Sequence, residues 1–344
     1  MVASAVLAFG VAALLTRWLC SARSPIRILD YPNARSLHDR PIPRLGGVAI
    51  LLASALAMGL VLTAQGLPGP LRWIGAGAAL VAAVSYGDDR FGLSAGVRLL
   101  VHAAACGVLP LGGVWLAHVA LPGATVTMPQ PLAVGFVMLF VVWMTNLYNF
   151  MDGMDGLAGG MAVIGFATFA LFGWRGGHEG FATVSLVLAA ASAGFLVFNF
   201  PPARIFMGDV GSTTLGFLVA ALSIWGARDG VFPHWIAVLV FSPFIVDATV
   251  TLLRRLFRGE RIWQAHRTHY YQRLVRLGWG HRRTVLWEYL LMLACAASAL
   301  WAVALPPSGQ WALILVWAIV YTSLAVLVSR LEQTSKASDL TSSP

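Results

Sequence analysis

The chain has 344 residues, of which 58% are hydrophobic and 11% are charged. Soluble globular proteins carry about 25% charged residues, so this composition, with a mean hydropathy of +0.77, excludes an ordinary soluble fold. The formal net charge of +9 comes almost wholly from arginine. In a membrane protein such an excess is typical of cytoplasmic loops and of contact with anionic lipids, so we expect no nucleic-acid partner.

Apolar segments long enough to cross a bilayer recur along the whole chain. They predict an all-α, polytopic transmembrane helical bundle of about 11 spans. We expect one integral membrane domain over residues 1–330, followed by a disordered cytoplasmic tail over 331–344. The predicted spans are 2–20, 45–65, 71–87, 97–119, 131–149, 157–173, 181–199, 212–226, 234–253, 284–304 and 310–330.

The first apolar segment predicts a retained span with a periplasmic N-terminus, because no basic region precedes it and arginines follow it. This orientation places 20 of the 23 lysines and arginines on the cytoplasmic side. Basic residues favour that side of a bacterial membrane. The inner loops are then 21–44, 88–96, 150–156, 200–211 and 254–283.

Each of these inner loops carries a dense polar cluster, whereas the outer loops resemble plain turns. The clusters, in chain order, read "DYPNARSLHDRPIPRLGGVAI" (30–50), "SYGDDRFGLSAGVRLL" (85–100), "TNLYNFMDGMDGLAGG" (145–160), "FNFPPARIFMGDVGSTTLG" (198–216) and "QAHRTHYYQRL" (264–274). This asymmetry predicts one polar site at the cytoplasmic face of the membrane.

Five aspartates stand at predicted span ends on that side: Asp88, Asp89, Asp152, Asp155 and Asp209. Any one of them alone could be an ordinary loop charge. Together they form a set of like charges, which is costly unless a cation or protons neutralise it. Hard oxygen ligands favour Mg²⁺ or Mn²⁺, and Mg²⁺ is commonly held by one or two carboxylates plus substrate phosphates.

The third cluster predicts a helix end shaped for a ligand. Asn146, Asn149 and Asp152 are spaced by three and share a face if the fifth span stays helical to its end. Gly153 and Gly156 would then break the helix and allow the backbone to approach a ligand closely.

Two further signals are weak on their own. Asp209 precedes small residues that open the eighth predicted span, and the free N–H groups of a helix start attract phosphate; Gly-Ser-Thr is nonetheless common at helix starts. His266, Arg267 and His269 lie in the longest inner loop, where a histidine pair can equally be structural.

Taken in order, these motifs resemble the polyprenyl-phosphate N-acetylhexosamine-1-phosphate transferase family (glycosyltransferase family 4). The resemblance runs from about residue 30 to 275 and favours the subgroup that initiates O-antigen, because the histidine motif here is "AHRTHYYQR". It implies that undecaprenyl phosphate attacks a UDP-N-acetylhexosamine, giving a lipid-linked sugar pyrophosphate and UMP. The donor could be the UDP form of GlcNAc, GalNAc, QuiNAc or FucNAc.

The resemblance also assigns residue roles. It makes Asn149 and Asp209 metal ligands, Asp88 with its partner Asp89 the acids at the lipid phosphate, and Phe206 the aromatic that stacks on uracil. The remaining substrate-binding positions that it implies near the nucleotide are Asn146, Asp152 and Asp155, and Arg98 would contact phosphate. In the region of the first loop it implies Arg44, Gly46 and Gly47. In the loop over sugar and pyrophosphate it implies His266, Arg267 and His269, with the two histidines among the catalytic residues.

The resemblance further implies Mg²⁺ or Mn²⁺ as cofactor, contact with membrane lipids, a homodimer, and a multi-pass protein of the bacterial inner membrane acting in lipopolysaccharide or related cell-wall synthesis. The main alternative is a cation-coupled transporter, which would place ionisable groups near the bilayer midplane. An intramembrane aspartyl protease and a structural scaffold are weaker alternatives.

Overall fold

The computed structural model of the protein describes every residue except 22, 23, 25, 27, 33–36, 38, 66–68, 262–265 and 342–344. Part of the predicted first inner loop and part of the histidine loop therefore lie outside the described residues. Within the described chain, long apolar helices dominate and the only strands form two short hairpins. The protein is an all-α, multi-pass membrane protein.

Thirteen helices and four strands are present in the described part of the chain. The helices are α1 Val2–Cys20, α2 Gly46–Gln65, α3 Gly69–Phe91, α4 Ala95–Leu111, α5 Gln130–Met151, α6 Leu157–Arg175, α7 Glu179–Asn199, α8 Asp209–Arg228, α9 His234–Val240, α10 Ser242–Phe257, α11 Tyr270–Leu274, α12 Gly280–Ala302 and α13 Pro307–Thr341. A π-helical turn, Val275–Trp279, joins α11 to α12. The strands are β1 Leu29–Asp30, β2 Ile42–Pro43, β3 His118–Leu121 and β4 Ala124–Thr127.

The membrane-spanning capacity of these helices follows from their length and composition. Among the described residues, seven helices meet both requirements, and the bent pair α9–α10 makes up to eight. Two shorter apolar helices, Gly46–Val61 and Gly96–Leu111, add to these. Each of the eleven predicted spans overlaps a helix or this pair, and the count of eleven stays a prediction.

Helix α8 forms the centre of the bundle, with 94% of its apolar stretch buried inside the protein. It packs against α2, α3 and α5. Small residues allow this close packing: a Cβ added at Gly216 would lie 2.7 Å from the carbonyl oxygen of Met144 in α5. In membrane helices, where lipid is as apolar as leucine, such backbone approach is a main source of stability.

The predicted span 97–119 is wrong at its C-terminal end. Helix α4 ends at Leu111, where Pro110 lies in the last turn and Gly113 adopts φ +71°. Residues after it form an antiparallel hairpin in which His118 pairs with Thr127 and Leu121 with Ala124. A Pro122–Gly123 turn with Gly123 at φ +75° closes the hairpin, and only glycine adopts that conformation at little cost.

The predicted span 234–253 is not one straight helix. Helices α9 and α10 meet at 79°, and Phe241 between them has φ −96° and ψ 9°. Pro243 lies in the first turn of α10. Proline cannot donate the backbone hydrogen bond that would continue α9, and its ring would clash with the preceding turn.

The C-terminal helix α13 runs past residue 330 to Thr341, where the sequence predicts a disordered tail; residues 342–344 lie outside the described part. Only 11% of its apolar stretch is buried, so α13 is peripheral. A bidentate ion pair holds α13 at Glu332, nine residues before its end. The Nε and Nη2 atoms of Arg273 in α11 donate to the two carboxylate oxygens of Glu332, both at 2.8 Å.

We expect Glu332→Gln to destabilise the protein, because the guanidinium of Arg273 is nearly buried and would lose its charged partner. Hydrogen bonds to charged groups contribute about 1.5–3 kcal/mol, and Glu332 is partly exposed, so the lower end of that range applies. Thermal unfolding of the purified protein in detergent measures the effect. Gln333→Ala, at the adjacent exposed position, is the control, and equal melting temperatures for the two variants would contradict this account.

Candidate active site

The polar clusters meet at one end of the bundle. Helices α3, α5 and α7 end there, and α4, α6 and α8 begin there after short connections. The side chain of Asn199, the last residue of α7, shows how these turns are joined. Its oxygen accepts a hydrogen bond from the backbone N–H of Gly156 at 2.9 Å, and its amide donates to the carbonyl of Ile205 at 2.9 Å.

Asp89 lies at the N-terminus of α8. Its carboxylate accepts hydrogen bonds from the backbone N–H groups of Asp209 at 3.2 Å and Val210 at 3.1 Å. The first N–H groups of a helix have no partner within the helix and carry partial positive charge, so a carboxylate is stabilised there. Arg44 adds an ion pair, with its Nε 3.5 Å from Asp89 Oδ1. Asp89 is buried, and through these contacts it links α3 to the start of α8 and to the first loop.

Asp88 faces a different set of partners. Its Oδ1 accepts from the backbone N–H of Leu93 at 2.6 Å, and its Oδ2 accepts from Nη1 of Arg98 at 2.8 Å. The same Nη1 lies 3.6 Å from Oδ2 of Asp209. Arg98 therefore bridges the two carboxylates, and the side chains of Arg98 and Asp209 remain 39% and 33% exposed, open to a ligand.

Helix α5 ends as the sequence predicts. It runs to Met151, and the backbone N–H of Asp152 donates to the carbonyl of Asn149 at 3.1 Å. The left-handed φ of +76° at Gly156 then starts α6. The amide of Asn146 donates to the carbonyl of Val142 in its own helix at 2.7 Å. Asn149 and Asp152 instead lie at the C-terminal end of α5, which we call its open end.

The carboxylates of this end influence one another. Burial raises the pKa of Asp152 well above its usual range, and the neighbouring carboxylates of Asp209 and Asp89 raise it further. Asp152, Asp209, Asp89 and Asp88 thus lie close together, as the sequence predicts. Asp155 does not join them. Its oxygens bind the backbone N–H of Ala203 at 2.9 Å and Nδ1 of His281 at 3.1 Å, so it fastens the loop before α8 to the start of α12.

The oxygen donors at this end of the bundle suit a divalent cation that also binds substrate phosphate. Among the described residues, no three histidine, cysteine, aspartate or glutamate side chains already form a metal cluster. Mg²⁺ needs no such cage, because it usually combines one or two carboxylates with substrate phosphates and water. The exposed carboxylate of Asp209, the amide oxygen of Asn149 and the neighbouring Asp152 supply hard oxygen donors of this kind. The residues present therefore fit Mg²⁺ or Mn²⁺ bound together with a phosphate-bearing substrate.

The start of α2 packs directly onto the start of α8 and the residues before it. The backbone N–H groups of Gly46 and Gly47 donate to the carbonyls of Phe206 and Met207 at 2.9 and 2.8 Å, and the N–H of Phe206 donates to Pro43 at 2.7 Å. A Cβ added at Gly47 would lie 2.2 Å from the Cα of Gly211. The glycines are thus needed for close contact between backbones. The side chain of Phe206 is half-buried, and its stacking on uracil stays a prediction.

The histidine segment precedes α11. His269 is buried and its ring centroid lies 4.8 Å from that of the half-buried His266. Nδ1 of His266 is 3.0 Å from the hydroxyl of Thr268. Burial, then the neighbouring His269 and Arg255, lower the pKa of His266 to about 4, so this imidazole is neutral at physiological pH. Arg267 is half-buried beside it.

The sequence reasoning missed Asp247, which lies in α10 and is buried. Its Oδ1 lies 3.2 Å from Nδ1 of His269 and accepts from the backbone N–H of Tyr270 at 3.0 Å, and its Oδ2 accepts from Tyr271 N–H at 3.2 Å. A signal was present, because a carboxylate within a predicted apolar span is itself unusual. The focus on span ends caused it to be passed over.

Comparison with known proteins identifies the family to which the chain belongs. The family model for glycosyl transferase family 4 matches residues 71–227, which contain all four aspartates of the acidic cluster. A probable undecaprenyl-phosphate N-acetylglucosaminyl 1-phosphate transferase of Bacillus subtilis is 34% identical over 285 residues, covering 80% of this chain and 77% of that protein. A decaprenyl-phosphate N-acetylglucosaminephosphotransferase of Mycobacterium tuberculosis is 33% identical over 363 residues, covering 94% and 88%. An undecaprenyl-phosphate alpha-N-acetylglucosaminyl 1-phosphate transferase of Escherichia coli O157:H7 is 25% identical, covering 80% and 75%.

We expect Gly47→Ala to destabilise the protein, because the added methyl group would meet the backbone of Gly211, which cannot move without shifting the start of α8. Overpacking of this kind costs about 1–3 kcal/mol. Gly59→Ala is the matched control, since it lies in the same helix and its Cβ would meet nothing within 4 Å; there alanine is neutral or stabilising by up to about 1 kcal/mol. Thermal unfolding in detergent compares the two, and equal loss of stability in both would contradict the proposed contact.

Proposed function

Because the chain belongs to glycosyl transferase family 4, the family of polyprenyl-phosphate N-acetylglucosamine-1-phosphate transferases, we propose that it transfers the sugar-1-phosphate of a UDP-N-acetylhexosamine to undecaprenyl phosphate. The structural observation that carries this proposal is the bridge from Asp88 through Arg98 to Asp209, beside Asp152. It brings acidic and basic side chains together at one end of an apolar bundle, where a lipid phosphate and a soluble nucleotide can meet.

The reaction is a phosphoryl transfer between two phosphate groups. An oxygen of the lipid phosphate forms a bond to the β-phosphorus of the UDP-sugar. The bond from that phosphorus to the oxygen bridging the α- and β-phosphates breaks, and UMP leaves with the bridging oxygen. Such a step depends mainly on in-line positioning and on neutralising charge. A phosphate monoester is already largely ionised near neutral pH, so Asp88 has little need to remove a proton.

The described side chains divide this work. Arg98 faces the phosphates with part of its charge compensated by Asp88 and Asp209. Asp88 holds the guanidinium in place through a 2.8 Å hydrogen bond, while Asp89 fixes the start of α8. Asp209 and Asn149, with Asp152 nearby, would hold Mg²⁺. When bound, this ion would neutralise charge on the pyrophosphate and on the departing UMP.

The loop that follows α10 serves the sugar and pyrophosphate. Arg267 supplies positive charge, and the neutral imidazole of His266 can both donate and accept a hydrogen bond. His269 is placed beside it by Asp247. Phe206 would offer its ring to uracil, a contact that tolerates differences in the base because every base presents a π-face.

The orientation belongs to the same proposal. The distribution of basic residues, 20 of 23 on one side, supports a periplasmic N-terminus and a cytoplasmic active site in the inner membrane, with eleven spans. UDP-sugars are cytoplasmic metabolites, so the site would face its donor. This places the enzyme at the first, lipid-linking step of a cell-envelope glycan such as O-antigen.

The donor sugar we propose to test first is UDP-GlcNAc. Three relatives from different bacteria are each named for N-acetylglucosamine 1-phosphate or N-acetylglucosamine phosphate transfer to a polyprenyl phosphate. The cation-coupled transporter has no comparable support, since the relatives are named as transferases and the carboxylates of the cluster lie at one end of the bundle.

We expect purified protein to release UMP from UDP-GlcNAc only when undecaprenyl phosphate and Mg²⁺ are both present. Asp209→Asn and Asp88→Asn should each lower the rate at least about 100-fold, the size of effect seen when a single group stabilising a transition state is lost. Glu179→Ala is the control, because Glu179 is exposed at the far end of α7 from the site and should keep the normal rate. Near-normal turnover by the two aspartate variants would disprove the site assignment.

A further inference from the structure

Four hydrogen-bond donors converge on the carboxylate of Asp247. Besides Nδ1 of His269 and the N–H groups of Tyr270 and Tyr271, the hydroxyl of Thr251 donates to Oδ1 at 3.1 Å. Asp247 is only 8% exposed. The two backbone N–H groups can only donate, and together with the hydroxyl of Thr251 they offset the cost of burying the carboxylate.

These contacts determine the chemistry of His269, which is 2% exposed. A carboxylate oxygen facing Nδ1 can only accept, so Nδ1 carries the proton. In the neutral imidazole, Nε2 then holds the free lone pair. A carboxylate that fixes one ring nitrogen in this way makes the other nitrogen a defined proton acceptor. A further hydrogen bond holds the backbone of His269, because its N–H donates to the side-chain oxygen of Gln272 at 3.3 Å.

The same segment lies against the open end of α5. The ring of His269 stacks with that of Phe150, with centroids 6.5 Å apart, and the hydroxyl of Tyr271 donates to the carbonyl of Phe150 at 3.2 Å. Phe150 directly follows Asn149. The orientation of His269 is therefore coupled to the helix end that carries the proposed metal ligand.

We propose that Asp247 is a positioning residue for the transfer reaction, which acts by holding His269 as its Nδ1–H tautomer against the end of α5. This inference rests on the proposed function. It adds a residue from within an apolar segment to a site otherwise built from helix ends. Glu288 in α12 is another acidic side chain close to Asp247, and among the described contacts it makes no hydrogen bond to His269.

A double-mutant cycle tests the proposal. Asp247→Ala should lower kcat for UMP release at least about 30-fold while the KM for the UDP-sugar changes less than about threefold, because the loss acts on orientation rather than on donor binding. In protein that already carries His269→Ala, the same substitution should cost less than about threefold, since residues that act through one another are not additive. An equal loss in both backgrounds would mean that Asp247 only supports the fold, and would overturn the proposal.

Two further measurements keep the outcome decisive. Thr249→Val, in the same helix and with no hydrogen-bond partner among the described residues, is the matched control and should keep the normal kcat.

Nitrogen NMR of the His269 ring in the wild-type protein should show Nδ1 protonated, and Asp247→Asn should shift the ring toward the other tautomer. Protonation of Nε2 in the wild type would overturn the proposal even if Asp247→Ala failed to fold. Absence of wild-type UMP release would instead disprove the proposed function, and the NMR result would then still show whether Asp247 sets the tautomer of His269.

Discussion

The carboxylate of Asp89 at the start of α8 is the interaction on which the rest of the site depends. The backbone N–H groups of Asp209 and Val210 would otherwise be left without partners in a buried place, and Asp89 would otherwise be a buried, uncompensated charge. The carboxylate accepts the hydrogen bonds of these N–H groups, and the N–H groups compensate its buried negative charge. Because Asp89 belongs to α3 and Arg44 to the first loop, this one interaction fixes three segments that are far apart in sequence.

The reacting groups follow from that arrangement. With α3 fixed to the start of α8, the adjacent Asp88 and the first residue of α8, Asp209, come within reach of the same guanidinium, that of Arg98. Asp152 completes an acidic site whose charges repel one another. We propose that this site is unfavourable when empty and that a cation and a phosphate-bearing substrate would stabilise it, which would suit it to binding a pyrophosphate and stabilising its transfer.

Patterns local in sequence could be predicted, and contacts between distant segments could not. The apolar segments and the end of α5 at Asp152 follow from hydrophobicity and from Gly156. The segment 112–119, which contains only the start of the hairpin at 118–127, resembles the end of a span because most of its residues are apolar. The bend beside Phe241 escaped notice although Pro243 marks it. The pairs Asp155–His281 and Arg273–Glu332 depend on how α11, α12 and α13 pack, which hydrophobicity alone does not determine. Asp247 is different, because a carboxylate within an apolar span is a signal in the sequence, and only its contact with His269 depends on packing.

The central claim is that carboxylate and amide oxygens from separate turns hold one divalent ion together with the donor pyrophosphate. Electron paramagnetic resonance of the protein loaded with Mn²⁺ and a UDP-sugar tests it most directly, because coupling between the Mn²⁺ electrons and phosphorus reports phosphate in the ion's first coordination sphere. We expect phosphorus coupling in the wild-type protein and its loss in Asp209→Asn. Tight Mn²⁺ binding that shows no phosphorus coupling, or coupling that persists unchanged in Asp209→Asn, would contradict the account.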